Sequence, residues 1–129
     1  MILHYLIIIT EILFGVRKVG DDIMNKFYMH FKGYLNNSTP DANYIYSVKC
    51  VAKDCDTLEP YVVYNNVISG QTWIRKLKEF ESDIDKDKYP DDLYNIPDGI
   101  TKRFTPLTKE EVVDLFRQNG YLTLGFNHD

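Results

Sequence analysis

Five residues of this 129-residue chain have side chains that could act together on a ligand: His30, Lys32, Tyr64, Trp73 and Arg75. Guanidinium and ammonium groups bind phosphate or carboxylate, and a flat aromatic beside them suits a ligand that also carries a ring. His30 and Lys32 are two apart, as are Trp73 and Arg75, so each pair shares one face if it lies on a strand. Tyr64 ends the run VVY on a strand between them. The expectation is a binding domain that holds a small anionic or nucleotide-like ligand, with no cofactor and no metal. Two alternatives stand beside it. One is a structural or protein-interaction module that pairs through its sheet edge or its C-terminal helix. Against any site on this face stands an ordinary strand face of polar side chains, with Trp73 in the core and Arg75 in a surface pair. The other is a small enzyme in which His30 is the general acid or base and Lys32 or Arg75 stabilises an oxyanion.

Several function classes lack their residues. The seven glycines are dispersed, so no phosphate-binding glycine loop exists, and there is no G-x-S-x-G. Asp83, Asp85 and Asp87 alternate like the opening of a calcium loop. The sixth and twelfth positions of such a loop are Lys88 and Tyr94, where Gly and Glu are needed. No catalytic carboxylate pair can be singled out among the acidic loop residues. Cys50 and Cys55 lack partners at metal-site spacing, and the three histidines are scattered. Two reduced thiols are expected, in a cytoplasmic protein. Net charge is −4 with a pI of about 5.3, which argues against broad binding to nucleic-acid backbones.

The elements that must position these residues follow from periodicity. FYMHFKG, residues 27–33, alternates, with Phe27, Met29 and Phe31 on a core face and Tyr28, His30 and Lys32 on the other. YLNNSTPDAN is loop by composition. Residues 44–52 alternate again, with Tyr46, Val48 and Cys50 on one face, and should form a hairpin with 61–68. TWIR starts a third strand, and Leu77 and Phe80 of a following short helix or turn return to the core. Residues 82–101 read as a wrapping arm docked by Tyr89, Leu93, Tyr94 and Ile96. From Leu107 a helix is predicted, with Thr108 as N-cap, Glu111 completing a capping box and Val112, Leu115 and Phe116 as its apolar stripe. YLTLGF is a candidate last strand. The fold class expected is mainly β (α+β): a small antiparallel sheet or partly open barrel with a C-terminal helix.

The segment MILHYLIIITEILFGV is the most apolar in the chain. It is short for a membrane span and carries His4 and Glu11, so integral membrane insertion is not expected. Its readings are a buried element, a short anchor-like segment flanked by Arg17 and Lys18, or an extension preceding a start at Met24.

HFKG, then YSVKCVAKDCDTLEPYVVY, then WIRKLKEF occur in an order that resembles the small domain-of-unknown-function family numbered 1653, over about residues 28–84. The resemblance implies a compact, mostly antiparallel β domain and attaches no activity to it. It carries over His30, Lys32, Gly33, Tyr64, Trp73, Arg75 and Phe80, of which Gly33 and Phe80 look structural. Members often begin just before the HFKG strand, which favours residues 1–23 as an apolar extension. The remaining division is a small β domain over 24–84 and a wrapping loop with the capped helix over 85–129. This chain departs from the family pattern in its 34–43 insert and in Lys76, where a proline is usual.

Overall fold

The computed structural model describes residue 23 and residues 26–121. Five strands, β1 (Phe27–His30), β2 (Ile45–Lys53), β3 (Pro60–Asn66), β4 (Thr72–Lys76) and β5 (Phe104–Leu107), form one open antiparallel sheet in the order β4-β3-β2-β1-β5. Among the described residues three α-helices accompany it: α1 (Leu77–Phe80), α2 (Asp91–Tyr94) and α3 (Lys109–Gln118). The fold is mainly β with a C-terminal helix, and the sheet does not close. The N-terminal apolar run and all of YLTLGF after Tyr121 fall outside the described residues.

Side-chain oxygens build the two hairpin turns. Between β2 and β3, Asp54 Oδ1 accepts from the backbone N–H of Asp56 (2.9 Å) and Thr57 (3.0 Å). After β3, Asn66 Oδ1 accepts from Ile68 N–H (3.0 Å) and Ser69 N–H (2.9 Å). These are local bonds of the kind that make Asp and Asn turn residues. The β2–β3 register slips between Val48 and Cys50. This bulge puts Val51, not Cys50, opposite Val62 and so on the face of Val48, correcting the simple alternation read across 44–52.

Both faces of the sheet are covered. On one, Phe27, Met29 and Ile45 pack with Val112, Leu115 and Phe116 of α3, whose capping box is complete. On the other, Tyr28, Val48, Val62 and Tyr64 pack with Phe80 of α1 and Phe104 of β5. Phe80 and Phe104 stack at 4.1 Å between centroids. All four residues of β1 are consequently buried. The Tyr28/His30 side is therefore a second core layer, not a wet face, because the arm that leaves β4 must cross it to reach β5 at the opposite edge.

The strand expected over 27–33 stops at His30, and Phe31–Tyr34 form a 3-10 turn. Phe31 is buried, as expected, but in a third cluster with Ile84 and Ile96 of the arm. Tyr89 and Tyr94 dock there too, whereas Leu93 is 68% exposed and docks on nothing. Gly33 is required by space. A Cβ there would lie 2.9 Å from Tyr44 Cβ and collide with Met29 Sδ. β5 was not legible in advance, since Pro106 interrupts so short a run. As an edge strand, β5 tolerates it.

Candidate functional site

His30 ends β1, and its side chain caps the turn that follows: Nδ1 accepts from Lys32 N–H at 3.2 Å. Lys32 is thus beyond the strand and exposed, not beside His30 on a strand face as the alternation suggested. The His30 ring packs edge-on against Phe104 (4.9 Å) and tilted over Phe31 (4.8 Å), and it is only 8% exposed. From β4, Arg75 reaches the same place. Its Nε donates to Tyr64 Oη at 3.2 Å, and its guanidinium carbon lies 5.8 Å from the Phe104 centroid. Tyr64 is the partner of Trp73 across the β3–β4 ladder and is itself buried.

A cavity of about 220 Å³ is lined by His30, Lys32 and Arg75 together with Lys88 and Tyr89 of the arm and Arg103. The arm is held there by backbone bonds. Phe31 N–H donates to Arg103 O (2.8 Å), Arg103 N–H to Ser82 O (2.9 Å), and Ile84 N–H to Thr101 O (2.9 Å). Arg103 Nε donates to Ser82 Oγ at 3.2 Å, so its side chain is anchored as Arg75 is.

Of the five residues singled out from sequence, the fold brings His30, Lys32 and Arg75 to this cavity. Tyr64 supports Arg75 from behind. Trp73 shares their sheet face but is 51% exposed on the edge strand and does not line the cavity. Neither half of the ordinary-face alternative is found: Trp73 is not in the core, and Arg75 makes no ion pair among the described residues. Arg103 and Lys88 were missed. Their only sequence signal was adjacency to Phe104 and Tyr89, aromatic residues in a segment otherwise read as polar arm.

The electrostatics are one-sided. None of Lys32, Arg75, Lys88 and Arg103 takes part in an ion pair among the described residues. Asp85 is the one carboxylate on the lining, and its Oδ1 is occupied by the N–H groups of Asp87 and Lys88. Burial, and then the charges of Arg75, Lys32 and Arg103, push the His30 pKa down from 6.5 to about 3. The imidazole is therefore neutral at physiological pH. A wider depression of about 470 Å³ beside Phe80 carries one Lys and one Glu, Lys102 and Glu81, whose charges offset each other. Cys50 and Cys55 are free thiols. No described helix is long and apolar enough to cross a membrane.

The family model described as protein of unknown function (DUF1653) matches residues 26–106, which extends the resemblance seen in the motifs through the arm and into β5. No curated protein and no solved structure matches the chain.

Proposed function

The chain belongs to the DUF1653 family, and from that premise we propose that its domain is a binding module that holds an anion in the cavity between β1, β4 and the 82–103 arm. One observation carries this reading: four cations converge on a partly enclosed cavity and have no ion-pair partner among the described residues. Like charges brought together repel, and guanidinium groups without carboxylates are the usual recognition groups for oxyanions. An anion would relieve the repulsion and accept their hydrogen bonds.

The test is thermal unfolding against a panel of phosphate, sulfate, nucleotides and carboxylates, with Lys32→Ala and Arg75→Ala in parallel. A ligand at a hundred times its Kd stabilises the folded state by about 2.7 kcal/mol. Stabilisation of the parent and a clear loss of it in both variants are expected. No response to any anion, or the same response in both variants, would discard the proposal.

The enzymatic reading fares worse on the same geometry. A histidine whose pKa is about 3 is a weak base and holds no surplus proton to donate near pH 7. The interaction-module reading keeps one observation in its favour: Trp73 and Ile74 are 51% and 65% exposed on the edge strand β4. Edge strands with exposed apolar side chains invite strand addition. Light scattering on the purified chain tests it, and a monomer at all concentrations would remove the self-pairing form.

A further inference from the structure

Resting on the anion-binding reading, we propose that the cavity selects a small, doubly charged tetrahedral oxyanion of the phosphate-monoester or sulfate kind. It takes that end group alone from whatever molecule carries it. Three features lead there.

Most of the polar side chains on the lining are hydrogen-bond donors, set beside the apolar Phe31 and Ile84. Arg75 and Arg103 each commit Nε inward, to Tyr64 Oη and Ser82 Oγ, which fixes the guanidinium planes and leaves the terminal nitrogens for a ligand. His30 Nδ1 accepts from Lys32 N–H, so the neutral ring carries its proton on Nε2, which has no partner among the described residues. Lys32 and Lys88 add ammonium donors. The one carboxylate on the described lining, Asp85, has its Oδ1 engaged by its own turn, which leaves Oδ2 as its remaining acceptor. A fully ionised oxyanion is all acceptor and matches this set. A protonated acid or a sugar hydroxyl brings a proton for which Asp85 Oδ2 is the one carboxylate acceptor left on the described lining.

Charge points the same way. Four cations face one carboxylate across the cavity, an excess of three positive charges, with His30 neutral between them. A monoanion leaves most of that excess standing, whereas a dianion offsets most of it. Size sets the third limit. At about 220 Å³ the cavity lies below the roughly 300–1,000 Å³ of sites that enclose whole drug-sized ligands. Phe31 and Tyr89 on its wall are packed edge-to-face on each other at 4.9 Å, not open as a stacking slot, and Trp73 lies outside.

The experiment is isothermal titration of the full chain with methyl phosphate, sulfate and adenosine monophosphate at constant ionic strength, at pH 5, 6 and 7. Phosphate monoesters take their second charge near pH 6, while sulfate stays doubly charged. The affinity for methyl phosphate, divided by that for sulfate, should therefore rise about tenfold from pH 5 to pH 7. The ratio cancels any titration of the protein's own groups. Adenosine monophosphate should bind within a few-fold of methyl phosphate. Arg103→Gln and Lys88→Gln should each weaken methyl phosphate about tenfold, the scale of one charged hydrogen bond. Lys88 is exposed, so its variant does not depend on refolding of the core.

Absence of binding by methyl phosphate and sulfate at every pH overturns the anion-binding reading itself. Unchanged binding in both variants moves the anion elsewhere and overturns both proposals. A ratio that stays constant with pH, or adenosine monophosphate binding tenfold or more tighter than methyl phosphate, overturns only the selection inferred here.

Discussion

His30 is a structural cap held in its neutral form. The folded chain keeps it neutral down to about pH 3, whereas an unfolded chain protonates it near 6.5. Between those values the unfolded state binds the extra proton, so stability is fully present above about 6.5 and is lost as the pH falls toward 3. The loss accumulates to about 5 kcal/mol at the low end. Urea midpoints measured from pH 7 down to pH 4 in a buffer without multivalent anions should fall accordingly. His30→Asn keeps an acceptor for Lys32 N–H and removes the titration, so its curve should be distinctly flatter. A variant as pH-sensitive as the parent would place the effect in other groups. The alternation of FYMH identified His30 as facing away from Met29. It could not reveal that the other side is also buried, since burial there comes from Phe80 and Phe104, far along the chain.

Among the elements, α3 was the most legible and β5 the least. The helix carries its own instructions in a local capping box and an apolar stripe, and the structure shows both. Its far end depends on the insert, which the sequence presented only as loop. Asn119 Oδ1 accepts from Ala42 N–H (3.2 Å), while Nδ2 donates to Pro40 O (3.2 Å) and Leu115 O (2.7 Å). The 34–43 insert is therefore a dock for the helix terminus, and Asp41 N–H in turn donates to Gly33 O (2.9 Å). Asn119→Ala strands backbone groups at both ends of that contact and should cost about 1–3 kcal/mol in urea unfolding. A change below a few tenths would show that water replaces the amide without penalty. The Val48–Cys50 bulge was invisible for a related reason. A period-two pattern assumes an unbroken ladder, and the slip is set by the pairing partner.

At the scale of the whole molecule, one chain segment links stability to the candidate site. The arm leaves β4, seats Phe80 on the sheet, covers His30 and delivers Arg103 and Phe104 to the far edge. Phe80→Ala removes a fully enclosed ring and should cost about 3–5 kcal/mol. It should also open the arm first. Limited proteolysis within residues 82–103 should accelerate more than in Phe116→Ala, which damages the opposite face of the sheet. Equal cleavage in two variants of equal stability would show that Phe80 does not hold the arm. The family match ends at residue 106, so the arm and β5 up to Pro106 lie within it and all of α3 beyond it.

Sequence alone determined what short-range physics can write: the alternating strands, the two hairpins, the capped helix, the buried Phe27 and Met29, and the presence of His30, Lys32 and Arg75 as candidate ligand groups. Each rests on contacts within a few residues or on one repeating period. Tertiary structure alone decided which of those groups meet. Trp73 was left on the open edge because the cavity forms under the arm, and the arm lies over β1 and not over the outer part of β4. Arg103 and Lys88 joined His30 only because a 27-residue connection between β4 and β5 has to cross one face of a sheet whose other face α3 already covers. No periodicity encodes that crossing. It follows from burying Phe80, Ile84, Ile96 and Phe104 together, and the cationic cavity forms where that path passes the end of β1.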